Sequence, residues 1–310
     1  IRDSSTSRGL GDVYKRHGLA HVVNGIAVIE AFSGGRAFGR VDLVVDRGAG
    51  KALETRPFAP RDLCLQEDAV KGGCDPSSES KASFVPAQYE GRVVEADPVV
   101  LASMQPALAR VRALQQVPLH VQLDSPLRRT GDFESPLSNL FADALRASAP
   151  DSDLAINNNA IGGLRTDLPP GPLTFGRLYD VFPFDNRVAR AVVRGGDLER
   201  VFADEMRRGR RGALGVSGIR VKAACEASGV RVSIARSSGQ PVASGEALRI
   251  VTTDFLLAGP GQVFASVAPP EGFDVSGSAP LVRQVVAKWL QQRGGHLRED
   301  QFVSPEHPRW

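Results

Sequence analysis

The chain has 310 residues, 42% hydrophobic and 24% charged, with 38 basic side chains against 35 acidic ones and a formal net charge of +3. These proportions are ordinary for a soluble globular protein of about two domains. Charges this evenly mixed exclude a dedicated nucleic-acid surface, which needs its basic residues clustered on one stripe. No apolar run reaches the ~20 residues of a membrane-spanning helix. No leader peptide is visible, and the chain opens on Ile1, which reads as a processed protein or a fragment.

Residues 1–16 are polar and aperiodic. From His17 the stretch HVVNGIAVIEAF holds two β-rich runs joined by Asn24-Gly25, the strongest short hairpin signal a sequence offers. Arg40 to Asp46 alternates as a strand, so residues 20–46 read as the end of a β-sheet layer too small to be a domain alone. Residues 47–90, rich in Gly, Pro and Ser, read as a long loop with one strand at most. Within them Cys64 and Cys74 lie ten apart, a spacing open to a loop staple in an oxidising compartment. Zinc would need a nearby His or third Cys, and none is there. Cys225 reads as a small buried hydrophobe.

Residues 97–116 have helical spacing, with Val100, Met104, Leu108, Val111 and Leu114 in one stripe, Asp97 as cap and Pro106 inside as a source of a kink. This reads as a linker helix whose stripe is core packing. A strand follows at LHVQL. Ser135-Pro136 then gives a strong helix start, with a capping hydroxyl and a proline at the first helical position.

The most informative stretch runs from Asp153 to Arg187. Leu154-Ala155-Ile156 reads as a buried strand that ends in Asn157, Asn158 and Asn159, then Gly162-Gly163-Leu164-Arg165. In α/β sheets the carboxyl edge of the strands is where ligands bind, and Arg165 there offers a fixed fork of donors to an anion. Thr174 to Val181 reads as a short helix. Pro183-Phe184-Asp185-Asn186 then places a flat ring beside a bidentate amide, which suits a planar heterocycle. The same residues also read as a Gly-rich turn, a surface arginine and a core phenylalanine.

Further on, the spacing predicts a strand at 187–194, a helix opened by Gly195-Gly196-Asp197, and strands at 216–224, 230–236 and 247–253. A last helix spans 280–293, with Leu281, Val285, Val286 and Trp289 apolar. Helices interleaved with strands make the class α/β or α+β. The five histidines show no metal-ligand spacing, apart from His17 and His21 four apart in a turn-and-strand context. There is no Gly-Xaa-Ser-Xaa-Gly elbow, P-loop or dinucleotide fingerprint.

Four segments, ESPLSNLFADALR, DLAINNNAIGGLR, LTFGRLYDVFPFDN and IVTTDFLLAG, occur in an order that resembles the carboxyl-terminal domain of the 5′-nucleotidase family, over about residues 117–293. The stretch HVVNGIAVIEAFSGGRAFGRVDLVVD resembles the last strands of that family's amino-terminal metallophosphoesterase domain, but VYKRHGLAH stands where the family has its final Gly-His-Xaa-His. The resemblance implies a mixed sheet with flanking helices, preceded by a partial β-layer. It divides the chain into a metallophosphoesterase remnant and loop at 1–96, the linker helix at 97–116 and a substrate-binding domain at 117–310.

The resemblance also implies roles. Arg165 contacts the anionic or ribose side of a nucleotide, Phe184 and Phe255 sandwich the base, and Asn186 reads it, with Asn158, Asn159, Gly163 and Gly259 completing the substrate-binding set. Arg128 or Arg129 stands for the family's upstream arginines. The family's ribose-binding Asp falls on Gly261, in Gly259-Pro260-Gly261-Gln262, a departure that bears on ribose recognition.

By resemblance, then, the chain is the nucleotide-recognition domain of a 5′-nucleotidase-type hydrolase, of periplasmic or extracellular location. The two divalent metals of the full-length family would sit in a metallophosphoesterase domain absent from this chain. The chain by itself is expected to bind no cofactor, to hold no catalytic residue and to be inactive. The alternative is a non-catalytic nucleoside-binding or interaction module. Its partners are a nucleotide or nucleoside and the missing amino-terminal domain, with no nucleic acid.

Overall fold

Asn24 and Gly25 turn the chain through the left-handed region, with φ of 51° and 78°. They close the expected hairpin between antiparallel β1 (Gly18–Val23) and β2 (Ile26–Ala31). The structure, a computed structural model, describes residues 18–32, 35–69, 74, 84–129, 134–159, 163–210, 212–227, 229–258, 263, 264, 266, 267, 272–304, 306, 308 and 309. It divides into two units, Ile1–Ala107 and Leu108–Trp310.

In the first unit β3 (Ala37–Asp46) and β4 (Lys51–Asp62) form an antiparallel ladder with two register shifts. The Asp46 carboxylate turns the chain between them, accepting from the backbone amides of Gly48 at 2.8 Å and Ala49 at 3.1 Å. Two short ladders follow, β5 (Gln66–Asp68) with β6 (Phe84–Pro86) and β7 (Gln88–Tyr89) with β8 (Arg92–Val93). Residues 47–90 are therefore not a long loop with one strand at most, since β4, β5, β6 and β7 all lie in them. Pro57 and Pro60 hid β4, because proline demotes a strand pattern. A two-stranded ladder tolerates them, since among the described residues β3 and β4 pair only with each other and each keeps one edge without a ladder partner.

Arg40 on β3 pairs with Asp42 at 2.6 Å and 2.8 Å and donates to the Tyr89 hydroxyl at 3.0 Å and to Glu90. Hydrogen bonding from Arg40 holds the Asp42 carboxyl below the usual carboxylate range. Cys64 and Cys74 are joined by a disulfide. Among the described residues of this unit only Asp68 and Ala87 are buried, while Ile26 and Leu53 are 67% and 69% exposed. The unit has sheet but almost no core.

Helix α1 (Pro98–Gln115) starts where Asp97 accepts from the amides of Val99 and Val100, and it stays helical through Pro106. None of its residues is buried, and Val100, Met104, Val111 and Leu114 are each about half exposed. The expectation that this stripe is core packing fails. Helical spacing identifies an apolar face and says nothing of what covers it.

The second unit holds three sheets among the described residues, of five, three and two strands. β10 (Leu154–Asn158), β12 (Val188–Arg194), β13 (Leu214–Ser217), β16 (Ala247–Thr253) and β17 (Phe273–Asp274) form a five-stranded sheet in the order β13-β10-β16-β12-β17. Only β10 and β16 are parallel neighbours in it. β9 (Pro118–Leu123), β11 (Gly171–Thr174) and β18 (Gly295–Leu297) form a smaller sheet in the order β11-β9-β18. Gly218, with φ of 90°, breaks β13 from the hairpin of β14 (Ile219–Glu226) and β15 (Gly229–Arg236). The mixed α/β class expected from the sequence is the one observed.

The helices are α2 (Pro136–Ala147), α3 (Phe175–Val181), α4 (Gly195–Arg207), α5 (Asp254–Ala258) and α6 (Val282–Arg293). Ser135 caps α2 through the Ser138 amide, and Thr174 caps α3 through the Arg177 amide. Two apolar cores lie on the two faces of β10. Ala155 joins Leu140, Phe141, Phe182, Val286 and Leu290. Leu154 and Ile156 join Leu198, Val201, Phe202 and Ile250. Burial on both faces is why this strand is an unbroken apolar run. Cys225, expected as a buried hydrophobe, is a free and exposed thiol. It lies on β14 past Val221, where the hairpin has left the core.

Candidate functional site

Parallel pairing of β10 and β16 brings their carboxyl ends to one edge of the sheet, and antiparallel β12 starts there, with Val188 opposite Thr253. Three connections meet at this rim: the one after β10, the one before β12 and the one after β16.

The connection after β10 is pinned by its asparagines. Asn157 donates to the Ser138 hydroxyl at 3.1 Å. Asn159 gives its amide protons to the carbonyls of Arg129 at 2.8 Å and Gly212 at 3.0 Å. Gly163 follows because nothing larger fits, since a Cβ there would stand 2.2 Å from the Asn158 carbonyl oxygen. The Arg165 amide then donates to the Val181 carbonyl at 2.8 Å, while the Arg165 side chain is exposed.

Phe184 lies before β12 and is half-buried. Its ring meets Phe182 edge-on at 5.7 Å, and Phe182 in turn packs on Phe141 at 5.5 Å. The Arg165 guanidinium stands over the Phe184 ring, 4.8 Å from its centroid. Arg283, at the start of α6, clamps this connection from behind. It donates to the carbonyls of Phe182 at 3.0 Å and Phe184 at 2.9 Å and to the Asp185 carboxylate at 2.9 Å. It also stacks over Tyr179 at 4.5 Å. The Val282 amide donates to the Asn186 carbonyl at 2.9 Å, so the backbone on both sides of Asp185 is fixed by α6.

After β16, Asp254 receives the Arg187 amide at 3.0 Å and the Phe255 amide at 2.8 Å through one carboxylate oxygen. The Asp254 amide donates back to the Arg187 carbonyl at 2.9 Å. This reciprocal bond locks the segment that carries Phe184 and Asn186 to the one that carries Phe255. The rim thus presents a guanidinium on an aromatic face, a second half-buried aromatic ring and an amide, all on a hydrogen-bonded frame. Such a set can stack a planar ring and pair with an anion.

The sequence family described as the 5′-nucleotidase C-terminal domain matches residues 116–268. Residues 116–268 of the second unit belong to the 5′-nucleotidase C-terminal domain family. A curated relative, the endonuclease YhcR of Bacillus subtilis strain 168, is 27% identical over 179 residues, or 58% of this chain and 12% of that protein. A solved 5′-nucleotidase precursor of Thermus thermophilus is 22% identical with a TM-score of 0.50, over 87% of this chain and 50% of its own. The NAD nucleotidase of Haemophilus influenzae is 18% identical with a TM-score of 0.51, over 91% of this chain and 55% of its own. These two structures support the fold, and this chain spans about half the length of each.

In this 5′-nucleotidase C-terminal domain Arg165, Phe184, Asn186 and Phe255 sit on the connections that meet at the rim. Asn158 is buried and Gly163 packs on its carbonyl. Gly259 and the Pro260-Gly261-Gln262 run lie outside the described residues. Of the two upstream arginines it is Arg129 that reaches the connection after β10: its amide donates to Asp167 at 2.7 Å and its guanidinium to the Leu164 carbonyl at 3.2 Å. Arg128 instead faces Glu299 at 3.9 Å. Sequence reasoning missed Asp254 and Arg283. A helical wheel would have found Arg283, because residues 283, 286, 287 and 290 share one buried face of α6.

Among the described residues no group of three or more His, Cys, Asp or Glu side chains converges, so they do not fit a two-metal centre. His21 lies on β1, and His17 is outside the described residues. No described helix is long and apolar enough to cross a membrane.

Proposed function

We propose that the second unit recognises the nucleoside and anionic parts of a nucleotide, on behalf of a two-metal phosphoesterase whose metal ligands belong to another domain. The observation that carries this reading is the Arg165 guanidinium over the Phe184 ring at the rim, with Asn186 two residues further on. Phe184 and Phe255 hold the base by stacking, each contact contributing ~1–3 kcal/mol. Asn186 reads the edge of the base, and Arg165 pairs with phosphate. Asn158, Asn159, Gly163 and Gly259 shape the backbone against which the sugar lies.

The partner domain on this reading is an amino-terminal metallophosphoesterase, whose metals would supply an activated water for phosphate ester hydrolysis. Support for such a partner comes from the first unit, which has strands but almost no buried core. The Cys64–Cys74 disulfide supports a periplasmic or extracellular location.

Calorimetric titration of adenosine and AMP into the chain, with Phe184→Ala beside it, tests the reading. Saturable binding that the substitution abolishes is expected. No binding by a folded sample would overturn it. Metal-dependent release of phosphate from AMP by the purified chain would overturn the assignment of the metals to another domain.

A further inference from the structure

The sheet edge opposite the rim holds a cleft lined by charged side chains. On β13, Leu214 stands opposite Asn158 and Ser217 opposite Ala155, so the Ser217 end of β13 lies at the far edge from the connection after β10. Two adjoining lobes of about 300 and 320 Å³ open there, and both are lined by Asp143, Arg146 and Ser217. The first lobe adds Arg220 and Arg309, and the second adds Ser152.

The charges in this cleft are unevenly committed. Arg309 grips both oxygens of Asp143 at 2.7 Å and 3.0 Å and the Val216 carbonyl at 3.0 Å. That pair neutralises the carboxylate. Arg146 and Arg220 hold no side-chain hydrogen bond or ion pair among the described residues, which leaves a surplus of two positive charges. Gly218 makes room for the arrangement, since a Cβ there would stand 2.9 Å from Arg146 Nε. Ser217 and Ser152 are only 5% and 8% exposed, and among the described residues neither hydroxyl has a partner. Both hydroxyls stay open to the cleft and border the space that the guanidinium groups face.

We propose that this cleft is a binding site for a phosphate group, either inorganic phosphate or a small phosphate monoester. Arg146, which lines both lobes, and Arg220 supply charge-assisted N–H donors, and Ser217 supplies a hydroxyl donor. Asp143 stays paired with Arg309 and does not repel the ligand. A phosphate fills only part of one lobe, and the rest has room for the organic part of a monoester. The site is independent of the nucleotide reading, because it shares no residue with the rim.

Inorganic phosphate and glycerol phosphate titrated into the whole chain, followed by calorimetry and phosphorus NMR, provide the test. Saturable binding is expected, weakened roughly tenfold or more in Arg146→Gln and in Arg220→Gln, weakened in Ser217→Ala, and unchanged in the exposed control Arg112→Gln. Adenosine should not compete. Tighter binding of glycerol phosphate identifies a monoester as the source, tighter binding of inorganic phosphate identifies the free anion, and either upholds the site. Absence of saturable binding by folded wild type overturns the proposal, as do unaltered affinities in Arg146→Gln and Arg220→Gln or an equal loss in Arg112→Gln.

Discussion

The guanidinium carbon of Arg165 stands 4.8 Å from the centroid of the Phe184 ring, although the two lie nineteen positions apart in the chain. A cation on an exposed aromatic face contributes ~0.5–1 kcal/mol, less than a stacked base at ~1–3 kcal/mol. On the proposed reading a purine would outcompete Arg165 for the ring, and the displaced guanidinium would become available to the phosphate.

The two residues should consequently fail in different ways. Phe184→Ala is expected to weaken adenosine and AMP alike, by ~1–3 kcal/mol. Arg165→Gln is expected to weaken AMP by about 1.5–3 kcal/mol, the range for a hydrogen bond to a charged group, and adenosine little. Calorimetric titration of both ligands into both variants checks this, and equal losses for adenosine and AMP in Arg165→Gln would refute it.

Gly163 has no room for a methyl group, because the nearest atom to an added Cβ is the backbone oxygen of Asn158 at 2.2 Å. Backbone cannot withdraw as a flexible side chain can. Gly163→Ala is expected to cost about 1–3 kcal/mol, the range for overpacking, and to displace Arg165. Thermal melting together with AMP titration measures both effects. A variant that melts and binds like wild type would show that the connection does not depend on this approach.

Arg283 is 6% exposed and satisfies two backbone carbonyls, those of Phe182 and Phe184. Arg283→Met keeps much of the volume and leaves these acceptors bare, at about 1–3 kcal/mol each. A lower denaturant midpoint and weaker adenosine binding are expected together. Loss of stability with full binding would limit Arg283 to a packing role.

Glu134 sets a pH dependence of stability. Its carboxylate accepts from the Asn139 amide at 2.7 Å and the Arg309 backbone amide at 3.2 Å. Burial nonetheless raises its pKa above 4.5, with the hydrogen bonds from Arg309 and Asn139 opposing the shift. A raised folded value means that the native state keeps its proton at a pH where the unfolded chain has lost it. This contribution is therefore present below the unfolded value and is lost as pH rises through the folded one. In Glu134→Gln the side-chain carbonyl keeps both acceptor bonds and the slope should vanish. Urea midpoints of the two proteins between about pH 4 and pH 7 make the comparison, and parallel curves would contradict the assignment.

Much of the frame was legible because local chemistry decides it. Asn24-Gly25 demands a tight hairpin, Ser135-Pro136 and Thr174 demand helix starts, and the run Leu154-Ala155-Ile156 demands a strand covered on both faces. The failures share a different cause. β4 was hidden by Pro57 and Pro60, whose cost depends on which edge of the strand is paired. The α1 stripe and Cys225 were read as buried because apolar or small residues surround them, whereas exposure depends on what the rest of the chain brings near. The Arg165–Phe184 contact, the Asp254 bridge and the Arg283 clamp are tertiary facts. Spacing places the residues in the chain, and only the sheet order β10-β16-β12 makes them neighbours.

One strand serves two cores. Leu154 and Ile156 belong to one and Ala155 to the other, so neither half of the domain can unravel while its neighbour stays intact. The domain should melt in a single cooperative step that coincides with loss of the rim. Anyone who cuts it to make a two-fragment reporter should spare β10 and sever the β14–β15 tip instead, where the ladder has already left the interior.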